Sequence, residues 1–399
     1  MQRHMAKPGA GLLLVLLAAV GIAPLFTYGL SATSDLVIRD LQISEAQFGL
    51  LATVCFGCAA VGNAAFSSFA DRQKDTTLFI IIFGLAAAAL ALVALPGGYA
   101  VLLIAAMLAG FAQSFPNGVT NRVLVQRVPV AQRITWTGVK QSGVQVSQLV
   151  GSLGFPLLAA WVGWRGASLA GAVLAGVLGV LAVKLVNATA MLPAAPSIKR
   201  ENSATATGPS TRFIVVTLTV FGFINGLGVQ ATNVYLPLFA VRELDFSLLL
   251  GGLTAAVAGA FGVSARIGWG ALMARGVSAP KLLLTLALLA TSGGVTFWQA
   301  QVQDSAWLLW LAVILHGAAA LGVSVVLMAA LLRTVPAASL GSSTGIVSAG
   351  QFAGFTFGPL LMGALISSPG GFTAGWIAVT GIYLCCVLLG LYLVFRKRA

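Results

Sequence analysis

The chain has 399 residues, of which 59% are hydrophobic and only 8% charged, with a mean hydropathy of +0.99. Soluble domains carry about 25% charged residues, so a fully water-exposed surface is excluded and most of this one must face lipid. The net charge of +13 does not mark a nucleic-acid binder, because the 22 Lys and Arg are dispersed over short loops between apolar runs, where basic residues set membrane topology.

A spanning helix needs about 20 mostly apolar residues. That window predicts twelve spans, at 11–34, 46–70, 77–96, 100–122, 135–161, 165–186, 212–239, 247–273, 280–299, 306–331, 341–367 and 373–395. The first follows MQRHMAKPGA and begins like a signal peptide, but it runs on to about Leu30 without a convincing cleavage site. A retained first span is expected. The second carries Cys55 and Cys58 in VCFGCAA, a redox or metal spacing with no companion ligands, so neither metal nor cofactor is assigned. After the sixth run comes VNATAMLPAAPSIKRENSATATGPSTR, rich in Ala, Pro, Ser and Thr, which reads as a flexible linker. The predicted organisation is a six-helix bundle over 1–186, a cytoplasmic linker over 187–211 and a second six-helix bundle over 212–399. With the N-terminus inside, Lys140 and Arg266 lie within spans and only Arg39, Arg165 and Arg242 fall outside; the other basic residues are cytoplasmic, as are both termini.

The two halves repeat. VIRDLQISEAQFGLL at 37–51 returns 203 residues later, aligning Arg39 with Arg242, Asp40 with Glu243, Gly49 with Gly252 and Arg72 with Arg275. Farther on, Val128-Pro129 and Thr137-Gly138 return 207 residues later as Val335-Pro336 and Thr344-Gly345. Duplicated halves with a site between them are a transporter signature.

A charge inside the bilayer costs several kcal/mol and marks a functional position by default. Arg266, in GVSARIGWGALMAR of span eight, and Lys140, in TGVKQSGVQ of span five, are such charges, and no acidic residue lies at comparable depth. Asp35 reads as an exposed interfacial carboxylate near the outer end of span one. Gln141, Gln145 and Gln148 share one helical face and are expected to face a cavity or glue helices together. Span seven offers Asn225, Gln230 and Asn233 in a Gly-rich segment; span one offers Thr27, Tyr28 and Ser31 beside Pro24. Gln113 and Asn117 in span four and His316 in span ten complete the polar set. A lone His can carry a proton but is more often simply hydrogen-bonded.

The loop after span two reads SSFADRQKDT and its second-half copy GALMARG, keeping Ala70, Asp71 and Arg72, then Gly270, Leu272 and Arg275. On these residues and the repeat the chain resembles the major facilitator superfamily over nearly its whole length. The resemblance implies an all-α membrane protein of twelve transmembrane helices in two pseudo-symmetric six-helix bundles, with spans one, four, seven and ten lining a cavity. It assigns gating, through ion pairs at helix ends, to Asp71, Arg72 and Arg275; the loss of the loop's basic tail, replaced by Asp75 and Thr76, is expected to weaken that pairing. Gly151, Gly154 and Pro156 in span five, with Gly350, Gly354, Gly358 and Pro359 in span eleven, read as sites of close helix packing. Arg266, four residues before Gly270, is similar to the substrate-holding Arg of monocarboxylate and oxalate porters, and TGVKQSGVQVSQLVGSLGFPLL to span five of cyanate-type porters. Gly262 replaces the Asp that those monocarboxylate porters couple to protons.

The expected function is transport of a small organic (carboxylate) or inorganic anion by alternating access, with proton coupling left open. Arg266 and Lys140 would bind the anion, with Tyr28, Asn117, Gln141, Gln145, Asn225, Gln230, Asn233 and His316 as polar contacts. The competing expectation is a drug or hydrophobic-compound efflux antiporter, against which stands the lack of an intramembrane acid. Nothing in the sequence has the nucleophile, base or phosphate loop of an enzyme. The lipid bilayer is the expected surrounding, a bacterial inner membrane the expected location, and a monomer the expected state.

Overall fold

The structure is a computed structural model describing residues 9–189 and 209–396, so most of the expected linker lies outside the described residues. Among the described residues it is all-α, without a strand. Ten helices are long and apolar enough to cross a membrane: Glu45–Asn63, Asp75–Ala94, Gly98–Arg127, Trp136–Ala188, Thr211–Glu243, Leu248–Ala274, Ala279–Val302, Ala306–Thr334, Ser343–Ile366 and Gly371–Phe395. An eleventh crossing is the pair Ala10–Gly21 and Pro24–Ala32, bent by 62°. The 53-residue stretch Trp136–Ala188 holds two, because Gly163 within it takes φ 71° and ψ 169°. Only glycine occupies that region at low cost, so the chain reverses there. Among the described residues twelve crossings result, as the hydropathy predicts, and they are numbered in chain order.

Several spans are discontinuous. Span one bends just before Pro24. Span four stops at Ala112 and restarts at Pro116, where proline's missing N–H is harmless because a first-turn N–H has no intrahelical acceptor. Span five is interrupted at Ser142, between the helices Val130–Gln141 and Gly143–Ala188. Span ten passes through a 3₁₀ turn at Ala320–Gly322. The repeat offset of 207 carries Gln113 onto Ala320, so spans four and ten break at equivalent places.

The helices gather into two compact units. One comprises the described residues of 1–30 and 57–199, the other those of 31–56 and 200–399. In the first unit, Gly21 and Gly143 bring spans one and five into backbone contact, since a Cβ at Gly21 would lie 2.5 Å from the Gly143 carbonyl. Span six seats Gly179 against Phe83 of span three. In the second unit, Gly350, Gly354 and Gly358 of span eleven press on span seven, where added Cβ atoms would strike the backbone of Thr219, Phe223 and Leu227. Small residues let helices approach in a bilayer, where no hydrophobic force drives them together. Behind that contact Phe239, Phe297, Phe372 and Trp376 form a buried aromatic core, with Phe297 stacked on Trp376 at 4.5 Å.

Candidate functional site

In the first unit the polar candidates collect around the breaks of spans four and five. Lys140, in the last turn before Ser142, is 0% exposed. Its ammonium donates to Thr120 Oγ1 at 2.8 Å and Asn121 Oδ1 at 2.6 Å, both on the restarted half of span four. Lys140 therefore does not snorkel to an interface: its charge is enclosed and held by neutral oxygens. Beside it Gln141 donates to Asn117 at 3.2 Å, and Asn117, Asn121 and Gln141 are all exposed. Amides are costly against hydrocarbon, so this face suits water better than lipid. The expected amide stripe is split: Gln141 is exposed, whereas Gln145 and Gln148 are buried. The reason is the break at Ser142, which separates the helix carrying Gln141 from the one carrying the other two. Tyr28 is buried beside the Gly151 contact, and Gln113 forms the end of the upper half of span four.

In the second unit three side chains converge on the break in span ten. Trp269 Nε1 donates to the Ala318 carbonyl at 2.8 Å, Asn225 Nδ2 to Ala320 at 3.2 Å and Arg266 Nε to Leu321 at 3.2 Å. Ala318 lies in the last turn of the helix Ala306–Ala319, whose terminal carbonyls form the negative end of its dipole, and Ala320 and Leu321 lie in the 3₁₀ turn that follows. Arg266 thus stays at the level of the broken turn. Asn233 and His316 are buried and bonded to each other, Nε2 to Oδ1 at 3.1 Å, with Phe297 against the imidazole. Asn233 Nδ2 and Gln230 Oε1, one turn apart and buried, have no hydrogen-bond partner among the described residues. An open groove of about 510 Å³ runs along span eight past Phe261, Ala265, Gly268, Trp269 and Leu272 to Arg275.

The loop expected to gate contains an ion-pair network that the sequence reading did not anticipate. Asp75, at the first turn of span three, binds Arg122 at 2.7 Å and Arg127 at 3.4 Å. Arg122 also caps the carbonyls of Ala70 at 3.1 Å and Gln73 at 2.9 Å. The substituted acid Asp75 is itself an anionic partner, to arginines other than those expected to gate, and is placed at the positive end of a helix. In the second unit Arg333 does the same capping work on Met273 and Val277, at the end of span eight. Arg72 and Arg275 are exposed, and the side chain of Asp71 lies outside the described residues.

A second cluster was also underestimated. Asp35 is buried rather than exposed. It accepts from Arg39 Nε, one turn on, and from Arg242 Nε at 2.9 Å. Arg242 reaches Glu45 as well, and Tyr235 donates to the Glu45 carbonyl at 2.6 Å. Ser31 donates to the Val234 carbonyl at 2.6 Å. The alignment of Arg39 with Arg242 was a usable signal, since both copies of the repeated arginine meet one carboxylate.

Residues 14–331 match the model of the Major Facilitator Superfamily. A stretch of 233 residues is 27% identical to a protein of Haemophilus influenzae described as a candidate metabolite transport protein, spanning 55% of this chain and 56% of that one. Two solved structures share the fold over 96% of the chain. One is the nucleoside transporter NupG, with TM-score 0.73, 14% identity and 98% of its chain covered. The other is a bacterial homologue of the human lysosomal transporter Spinster, inward-facing and occupied, with TM-score 0.76, 16% identity and 96% of its chain covered.

Proposed function

The chain belongs to the major facilitator superfamily, and from that premise we propose that this multi-pass secondary transporter carries a small anion, a carboxylate or an inorganic anion, by alternating access across a bacterial inner membrane. One observation carries the reading: Lys140, enclosed within span five, rests on neutral oxygens. Lys140 is held by a hydroxyl and an amide, and Arg266 is anchored on a peptide carbonyl. A hydroxyl and an amide leave the Lys140 charge uncancelled, and discontinuous helices are where transporters of this architecture bind substrate. Arg266, which is partly exposed, offers a planar donor fork suited to a carboxylate. Lys140 adds positive potential from its enclosed position. In the first unit the candidate substrate contacts are Lys140, Asn117 and Gln141, and in the second they are Arg266, Gln230 and Asn233.

Uptake into proteoliposomes of monocarboxylates, dicarboxylates, cyanate and nitrate tests the proposal, with Arg266→Gln as the paired variant. Saturable anion uptake that Arg266→Gln reduces at least tenfold is the expected result, a loss of about 1.4 kcal/mol. Transport of neutral or cationic drugs with no anion moved would establish the efflux reading instead. A pH jump across the same vesicles decides coupling, since uptake indifferent to the proton gradient means uniport or exchange.

A further inference from the structure

We propose that Lys140 is a positioning residue: it turns the Asn121 amide so that Asn117 and Asn121 present their NH2 groups, one helical turn apart, to the transported anion. This rests on the anion reading above and narrows the part of Lys140 in it from contact to positioning. Thr120, 0% exposed on the restarted half of span four, spends its hydroxyl proton on the Pro116 carbonyl at 2.6 Å. Toward Lys140 its oxygen can therefore only accept. An ammonium has donors and no acceptor, so its 2.6 Å contact with Asn121 has to meet the carboxamide oxygen. With that oxygen spent on an enclosed group, the NH2 is left on the open side. One turn earlier Gln141 Nε2 donates to the Asn117 oxygen, which turns that amide the same way. Both asparagines are exposed, and neither NH2 has a partner among the described residues.

Anions are recognised by N–H donors, and this face concentrates them. The ammonium polarises the amide it holds, which strengthens the N–H groups of Asn121 as donors. The charge of Lys140 thus acts at the open face while the lysine stays enclosed. Asn117 and Asn121, at i and i+4, share one side of the helix, so two oxygens of one carboxylate or nitrate can be met together. Pro116 opens this helix, which puts Asn117 and Gly118 in its first turn, where backbone N–H groups lack intrahelical acceptors and the dipole is positive. No described atom lies within 4 Å of where a Cβ on Gly118 would sit, so that end of the helix is open.

Asn121→Asp separates holding from binding. It gives the enclosed ammonium a counter-charge and puts a carboxylate oxygen where the NH2 stood. The melting temperature should rise by about 2 °C, and the gain should vanish in the Lys140→Met background. Calorimetric binding of lactate, oxalate and nitrate to the full chain in detergent should weaken about tenfold or more in Asn121→Asp, for whichever probe binds the wild type. Lys140→Met, which no longer buries a charge, should weaken it about tenfold as well, yet no further in the Asn121→Ala background. A Lys140→Met loss that persists in full without Asn121 means that the ammonium acts on the anion directly and overturns the proposal, as does wild-type binding by Asn121→Asp. A wild-type chain that binds none of these probes overturns the anion reading, while the melting comparison still upholds or overturns the hold of Lys140 on Asn121.

Discussion

Replacing Arg242 by Gln is the sharpest structural perturbation available, because one guanidinium serves two carboxylates. It binds Asp35 at 2.9 Å and also Glu45, and the side chains of Arg242, Asp35 and Glu45 are 24%, 9% and 21% exposed. At an effective dielectric of about 20, each contact has a gross attraction of about 4 kcal/mol. Most of that is offset by desolvation. Removing one member of a fully buried pair costs about 3–5 kcal/mol, whereas exposed pairs contribute about 0.2–1 kcal/mol. Partial exposure and the retained Arg39–Asp35 contact place this site between those limits, at about 2 kcal/mol. A local loss of that size raises the exchange rate of amides protected by the contact about 30-fold. Hydrogen–deuterium exchange in detergent micelles should show it in peptides covering 31–56, with spans three to six of the other unit unaffected. Asp35→Asn with Arg242→Gln should cost less than the sum of the single changes, because the pair is lost only once. Unaltered exchange in 31–56, or strict additivity, would refute the claim that these charges hold the segment in the second unit.

Three further outcomes follow from the same geometry. Gly354→Ala, with its Cβ driven into the span-seven backbone at Phe223, should destabilise by about 2 kcal/mol or more. Gly345→Ala, exposed on the same helix with open space around it, should stabilise by up to about 1 kcal/mol; thermal melting of the two side by side checks the contrast. Thr120→Val removes one acceptor from the enclosed Lys140 ammonium and should cost about 2 kcal/mol, most of it recovered in the Thr120→Val, Lys140→Met double variant, which no longer buries a charge. Asp75→Asn should lower stability by about 2 kcal/mol, and the effect should shrink when Arg122 is replaced by Met; equal losses in both backgrounds would show that the ion pair contributes nothing.

Twelve crossings and the repeat could be read from the chain alone, because both are one-dimensional. Hydrophobic length is set by bilayer thickness, and a duplication leaves matching residues at a fixed offset. That Lys140 and Arg266 fall within spans was legible for the same reason, since counting residues from a loop gives position along a helix. Close packing at Gly350, Gly354 and Gly358 was legible too, because small residues four apart share one helical face. Partner choice was not. Asp75 read as a damaged motif until folding set it beside Arg122, 47 positions away. Asp35 read as an interfacial acid until Arg242, 207 positions on, closed over it. Gln141 seemed to belong with Gln145 and Gln148, and only a break in the helix at Ser142 parted them. Sequence alone thus determined which segments cross and which polar residues they carry, because the bilayer imposes one rule on every span. Tertiary structure decided which oxygen each buried cation meets and where the helices break, because those depend on neighbours that the linear order does not name.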